Sequence, residues 1–328
     1  MSRKLLSYTA LGLILGNAAI ADVPKVAVDI APVHSLVSRV MEGVGSPKLI
    51  IPAGASPHEY SLRPSEAKSL QDADMVIWMG EDLAPWMENS IEKLAKNAEV
   101  ITLLEASETK LLDFREGALF EEHDHGDHDD HDDHDDHDKD HDDHDDHDDH
   151  DDHAGHDHGE HDPHAWLSIE NAQTWLNLVA GKLSAADPEN AGVYFGNAAA
   201  ARAEIEELSK EVNSILDPVR GRSFVVFHDA YQYFETSFDF PASGAISLGD
   251  ATDPSASRIA EIQGRVREEG INCVLSEPQY NPNLVETVLE GTDAKTGVID
   301  PLGVNLEPGP KLYGDLIRNM AKSLAGCL

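Results

Sequence analysis

DPENAGVYFGNAAAARAEIEELSKEVNSIL, residues 187–216, is the stretch on which the architecture turns. Asp187-Pro188-Glu189 is a helix start, since proline in the first turn gives up an N–H that has no partner there. The residues that follow are good helix formers, with Gly192 and Gly196 as weak points, and the helix is expected to run to Ile215 or Leu216. At about 1.5 Å per residue it spans about 40 Å. That is too long for a simple linker, and it reads as a rigid spine between what lies on either side.

Both sides alternate strand and helix. Upstream, residues 25–30 form an apolar strand ended by Ala31-Pro32, a helix is expected over 34–44, and a second strand at 48–51 leads into the Pro/Gly-rich segment 52–60. Arg63-Pro64-Ser65 opens the next helix with Ser65 as its cap, followed by a strand at 75–79, a helix at 86–97 and a strand at 100–103. An amphipathic helix over 168–183, capped by Ser168, precedes the spine. Downstream, strands at 224–227, 272–275 and 297–299 alternate with helices at 257–269, 283–289 and 313–324. The rhythm predicts an α/β fold of two lobes with mostly parallel sheets, joined by the one long helix and leaving a single cleft between them. The expected division is an N-terminal lobe over 22–167, connecting helices over 168–221 with the spine at about 188–216, and a C-terminal lobe over 222–328.

Between the halves lies a low-complexity tract, residues 121–163, with an H-D-D repeat. It holds 14 of the 18 histidines and 23 of the 62 acids, against the single base Lys139, and so supplies −22 of the formal −38. With no branched apolar residue to bury, it is expected to be a self-repelling loop without a core. A merely solubilising insert needs acids but has no use for a histidine at almost every third position. Imidazole with carboxylate suits transition metals, held here at several weak sites.

The first 21 residues read as an export signal: Arg3 and Lys4, an apolar run over 5–15, then Ala19-Ile20-Ala21. The run is short for a bilayer span, and no cysteine follows the cleavage site to carry a lipid. Export places the chain in an oxidising compartment, where its only cysteines, Cys273 and Cys327, most simply form one disulfide. The alternative is two free thiols serving as metal ligands. The negative balance argues against nucleic acid and anionic membranes and favours cations.

Outside the tract stand four histidines: His34, His58, His164 and His228. His58 and His228 lie just beyond the C-terminal ends of expected strands, as does Asp300, which is where open α/β sheets place ligands. Three imidazoles and a carboxylate suit zinc. Each has a rival reading: His58 as a turn residue, His164 as the last member of the tract, His228 as a buried histidine bonded to backbone, Asp300 as a turn former. His34, at a helix start, is expected to be structural or to support a ligand from behind. No H-E-x-x-H, G-x-S-x-G or phosphate-binding loop is present, which disfavours a hydrolase, though Asp229 and Glu277 could serve as bases.

The segments 54–60 (GASPHEY) with 63–65 (RPS), 73–80 (ADMVIWMG), the His-rich insert, 162–166 (DPHAW), 227–231 (FHDAY) and 300–303 (DPLG) occur in an order and spacing that resemble the zinc-binding periplasmic solute-binding proteins of ABC importers, in the metal-binding cluster A-I. The resemblance covers essentially the whole mature chain. It implies a periplasmic, non-enzymatic zinc receptor with metal between the lobes, delivering Zn²⁺ to a permease driven by a cytoplasmic ATPase and acting as a monomer. It makes His58, His164 and His228 the ligands and assigns the tract an auxiliary, metal-acquiring role. Some members use an acid directly before the first histidine. This chain has Pro57 there and Glu59 after it, which favours Asp300 or a water as fourth ligand. The resemblance also supports the Cys273–Cys327 pairing. A periplasmic metal-storage protein is the alternative.

Overall fold

The computed structural model describes residues 23–115, 120, 161–247, 254–280 and 282–328. The expected export signal at 1–21 and the body of the His/Asp tract, 121–160, lie outside them. Two four-stranded sheets form, and every strand pairing in them is parallel. The first has the order β2-β1-β3-β4, from β1 (Val26–Val28), β2 (Lys48–Leu49), β3 (Met75–Trp78) and β4 (Glu99–Thr102). The second repeats that order as β6-β5-β7-β8, from β5 (Phe224–His228), β6 (Ala245–Ser247), β7 (Cys273–Ser276) and β8 (Lys295–Val298). The central strands are uninterrupted apolar runs, as strands covered on both faces must be.

The helices are α1 (Ala31–Val40), α2 (Pro64–Gln71), α3 (Pro85–Leu94), α4 (Ile169–Ala186), α5 (Ala191–Leu216), α6 (Gln232–Phe238), α7 (Ala256–Glu268), α8 (Pro282–Leu289) and α9 (Leu312–Cys327). The spine is α5, entered through a single turn at Pro188–Asn190. Its buried stripe, Tyr194, Ala198, Ala201, Ile205, Leu208, Val212 and Leu216, recurs every three or four residues and packs on α4, α1 and α9. Ser168 caps α4 as expected, its Oγ accepting from the Asn171 N–H at 3.2 Å.

Two helix starts differ from expectation. Helix α1 begins at Ala31, because Pro32 in its first turn has no N–H to lose. In α2 the cap is Arg63 rather than Ser65: Glu66 reaches back to accept the Arg63 N–H at 2.7 Å, and Pro64 occupies the first turn. Helix α6 and strand β6, which the sequence pattern does not announce, complete the second lobe.

The last helix does more than close the second lobe. It packs on α1 and α5 as well as on β8, and the Tyr313 N–H donates to Ser35 Oγ of α1 at 2.9 Å. Its far end is tied to β7 by the Cys273–Cys327 disulfide. A cross-link closing 54 residues of separation is worth about 4 kcal/mol by loop entropy. Gly297 of β8 makes room for it, since a Cβ there would stand 3.2 Å from the Cys327 sulfur and 3.0 Å from Leu275. No helix among the described residues is long and apolar enough to cross a membrane.

Candidate metal centre

His58, His164 and His228 come together between the two sheets, each offering a ring nitrogen, with all three nitrogens within 4.8 Å of one another. They arrive by different routes. His228 is the last residue of β5, so a buried strand aims it. His164 stands at the start of the turn Ala165–Leu167 that leads into α4. His58 sits in the loop after edge strand β2, where the Trp86 Nε1–H donates to the Pro57 carbonyl at 2.8 Å and the His58 N–H donates to Ser56 Oγ at 3.3 Å. His164 and His228 are 5 % and 4 % exposed, while His58 is half-buried.

Two carboxylates fix the rings. His228 Nδ1 lies 2.6 Å from Glu277 Oε1, and His164 Nδ1 lies 2.7 Å from Asp162 Oδ1. With Asp162 and Glu277 ionised, each carboxylate oxygen accepts from Nδ1, and a neutral ring then keeps its lone pair on Nε2. These Nε2 atoms face each other at 3.4 Å. Two lone pairs so placed repel unless something positive lies between them. A tetrahedral ion with nitrogen ligands at about 2.0–2.1 Å holds any two of them about 3.3–3.4 Å apart. The pair is therefore spaced for a shared cation, and the carboxylates behind it orient and enrich the imidazoles as they do in metal sites.

The wall around this point includes Trp166, Gln279, Tyr280, Pro301 and Leu302, and the space between them is about 10 Å³. That is room for about one water beside an ion seated among the three nitrogens, and it is too small for an organic substrate. The larger grooves lie elsewhere: that of about 530 Å³, between α1, α5 and α9, is lined by none of the three histidines.

Asp300, the fourth residue expected from the sequence, is not in the cluster. Its Oδ1 accepts from the N–H groups of Leu302 and Gly303 at 3.1 and 2.8 Å, and its Oδ2 accepts from Val304 at 2.7 Å. The turn so formed offers the Pro301 carbonyl to Trp166 Nε1 at 2.9 Å, beside His164. Glu59 is exposed and outside the cluster. His34 is buried away from it, between the Pro47 carbonyl and Ser38 Oγ.

Three supporting residues escaped the sequence reading. Arg115, at the entrance to the His/Asp tract, donates to both Asp229, the residue after His228, and Glu235 of α6. Burial drives both carboxyls upward and Arg115 opposes it, while burial works against the Arg115 cation and the two acids hold its pKa above the ordinary value. Tyr233 accepts the Leu112 N–H at 2.9 Å and donates to the Asp162 carbonyl at 2.9 Å, and Asp162 N–H donates to the Leu112 carbonyl at 2.8 Å. Residues 112 and 162 are thus fastened together against the second lobe, and His161 pairs with Asp113. Asp162, lost in sequence among like acids, is buried, and desolvation raises its pKa to about 7 against the pull of the His164 N–H and Arg115. Asp162 is thus an acid of the repeat that is held indoors, next to the buried Pro163 and His164.

The profile of one family, ZnuA, the periplasmic component A of zinc-uptake complexes, matches residues 26–327. The chain is 46 % identical over 314 residues to the high-affinity zinc uptake system protein ZnuA of Brucella abortus, covering 95 % of this chain and 94 % of that protein. It is 47 % identical over 326 residues to the protein of the same name from Paracoccus denitrificans, covering 98 % of each. Among solved structures, a crystal structure of ZnuA superposes with a TM-score of 0.71 at 20 % identity, over 93 % of this chain and 99 % of that one, a likeness of fold.

Proposed function

We propose, because this chain belongs to the family of periplasmic zinc-uptake components, that it captures one Zn²⁺ with His58, His164 and His228 and presents it to the membrane part of an ABC importer. The ion is cargo. The observation that carries the reading is the convergence of three ring nitrogens from far-apart stretches of chain, two of them held ready by buried carboxylates. Zinc accepts neutral imidazole nitrogen readily, and a site presented by both lobes couples affinity to their approach. The fourth position falls to Asp300 or to water, and Asp300 reaches the ion only by releasing backbone N–H groups that it now accepts.

A receptor of this kind hands its ion to a permease worked by a cytoplasmic ATPase, and neither activity has a motif in this chain. As a binding component of this family, the protein is not an enzyme. We assign residues 22–167 and 222–328 to the two lobes, 168–221 to the connection, and an auxiliary metal-gathering role to the tract, the bulk of which lies outside the described residues. Nucleic acid plays no part, and a monomer suffices because one chain supplies the triad.

Zinc titration in competition with a tight chelator tests the reading. One tight site per chain is expected, weakened at least about a hundredfold in His228→Ala. A storage protein relying on the tract would keep its affinity in that variant, and such a result would sink the receptor assignment.

A further inference from the structure

Gln279 follows β7 in the turn that carries Glu277, closed by the Tyr280 N–H donating to the Glu277 carbonyl at 3.3 Å and by the Tyr280 ring stacked on Phe227 at 4.6 Å. Its side chain forms part of the wall around the three histidines. Both its Oε1 and its Nε2 are shut off from solvent and have no hydrogen-bond partner among the described residues. A buried amide left unmatched costs free energy, and a rigid turn that holds one in place against a metal-sized space calls for a reason.

Three nitrogens on a tetrahedral ion leave one coordination position. Asp300 spends both oxygens on backbone N–H groups and is absent from the wall, and Glu59 is exposed. We propose that a water bound to the cation fills the fourth position and that Gln279 holds it, Oε1 accepting an O–H from the water. The inference rests on the triad being the zinc site and adds the residue that completes it. A water on a divalent cation is a stronger donor than bulk water, and a neutral acceptor keeps the set of donors uncharged, which suits an ion that must later be released. The orphaned Oε1 then has its partner only in the loaded protein.

The test is Gln279→Ala in the full mature chain, with zinc affinity read by chelator competition, unfolding of the metal-free protein by urea, and the visible spectrum of the complex with one equivalent of Co²⁺. Zinc affinity is expected to fall about tenfold. The metal-free midpoint should stay level or rise, because the variant removes an unmatched buried amide; a merely structural residue would lower it. The Co²⁺ bands should shift, and azide, which replaces bound water, should shift those of the unmodified chain. Zinc affinity within about twofold of the unmodified chain, or Co²⁺ bands that move in Asp300→Asn and stay fixed in Gln279→Ala, would overturn the proposal. His228→Ala in the same assay separates the two readings: if it keeps the tight site, the triad itself is wrong, whereas if it loses the site and Gln279→Ala does not weaken it, only the role of Gln279 fails.

Discussion

In the first sheet the crevice between β1 and β3, where the strand order changes direction, is closed by Asp29; in the second, the matching crevice between β5 and β7 holds His228 and Glu277. Both places put an acid and its partner across the two central strands, at the position where parallel sheets leave room for ligands. Asp29 is fully buried, with Oδ1 accepting from the Ile30 N–H at 2.7 Å and Oδ2 from the Met79 N–H at 2.6 Å. Its acid is consumed by backbone. In the second sheet the acid is consumed by an imidazole, which has a second nitrogen to turn outward. The same topology is thus inert on one side and a ligand on the other. No ligand comes from the first sheet's crevice: His58 arrives on the loop after the edge strand, pinned by Trp86 rather than by a sheet, and His164 on the turn before α4.

The largest effect expected from this contrast is on stability. Asp29→Ala leaves two buried N–H groups without an acceptor, which together cost roughly 2–6 kcal/mol. Part of that returns, because burial already disfavours the ionised Asp29 and raises its pKa to about 7. A net loss of about 3 kcal/mol is expected in urea unfolding, with tight zinc binding retained by the folded protein. Loss of the zinc site at undiminished stability would mean that the first crevice is not the inert one.

The alternation of strands and helices was legible in the sequence because the strands are continuous apolar runs and the spine is long. Helix α6 and strand β6 were not, being seven and three residues long and lacking a full period of either pattern. The three histidines stood out because so few lie outside the tract and two follow strands. Asp162 could not be told in sequence from the other acids of the repeat, since its burial depends on Tyr233, from a distant part of the chain, bonding its carbonyl. Asp300 follows a strand, a place that suits a ligand and equally a carboxylate that holds a turn, and in this structure its contacts are those of a turn.

A smaller effect is expected at the acid of the second crevice. Glu277→Gln keeps the shape and an acceptor oxygen but removes the charge behind His228, so zinc affinity should fall about tenfold by chelator competition. The metal-free protein should unfold within about 1 kcal/mol of the unmodified chain. If affinity is unchanged, Glu277 merely fills space as Asp29 does, and the distinction between the two crevices disappears.

The smallest effect concerns a buried imidazole away from the metal centre. His34 sits in α1 with neutral partners: Nε2 faces the Pro47 carbonyl at 3.3 Å and Nδ1 faces Ser38 Oγ at 3.4 Å. With no carboxylate to support a charge, burial holds its pKa below the ordinary 6.5, and Lys48 pushes the same way against the Pro47 carbonyl. The folded state therefore keeps His34 neutral where the unfolded chain takes up a proton near pH 6.5. Its contribution to stability is present above that pH and is lost as pH falls through 6.5 toward the folded value. Unfolding midpoints at pH 7.5 and 5.5 for the unmodified chain and His34→Gln isolate it, because the other histidines are shared and cancel in the difference. The variant should lose less stability on acidification. Equal losses would show that this imidazole takes up its proton as readily in the fold as in the unfolded chain, so that burial among neutral partners does not hold it neutral.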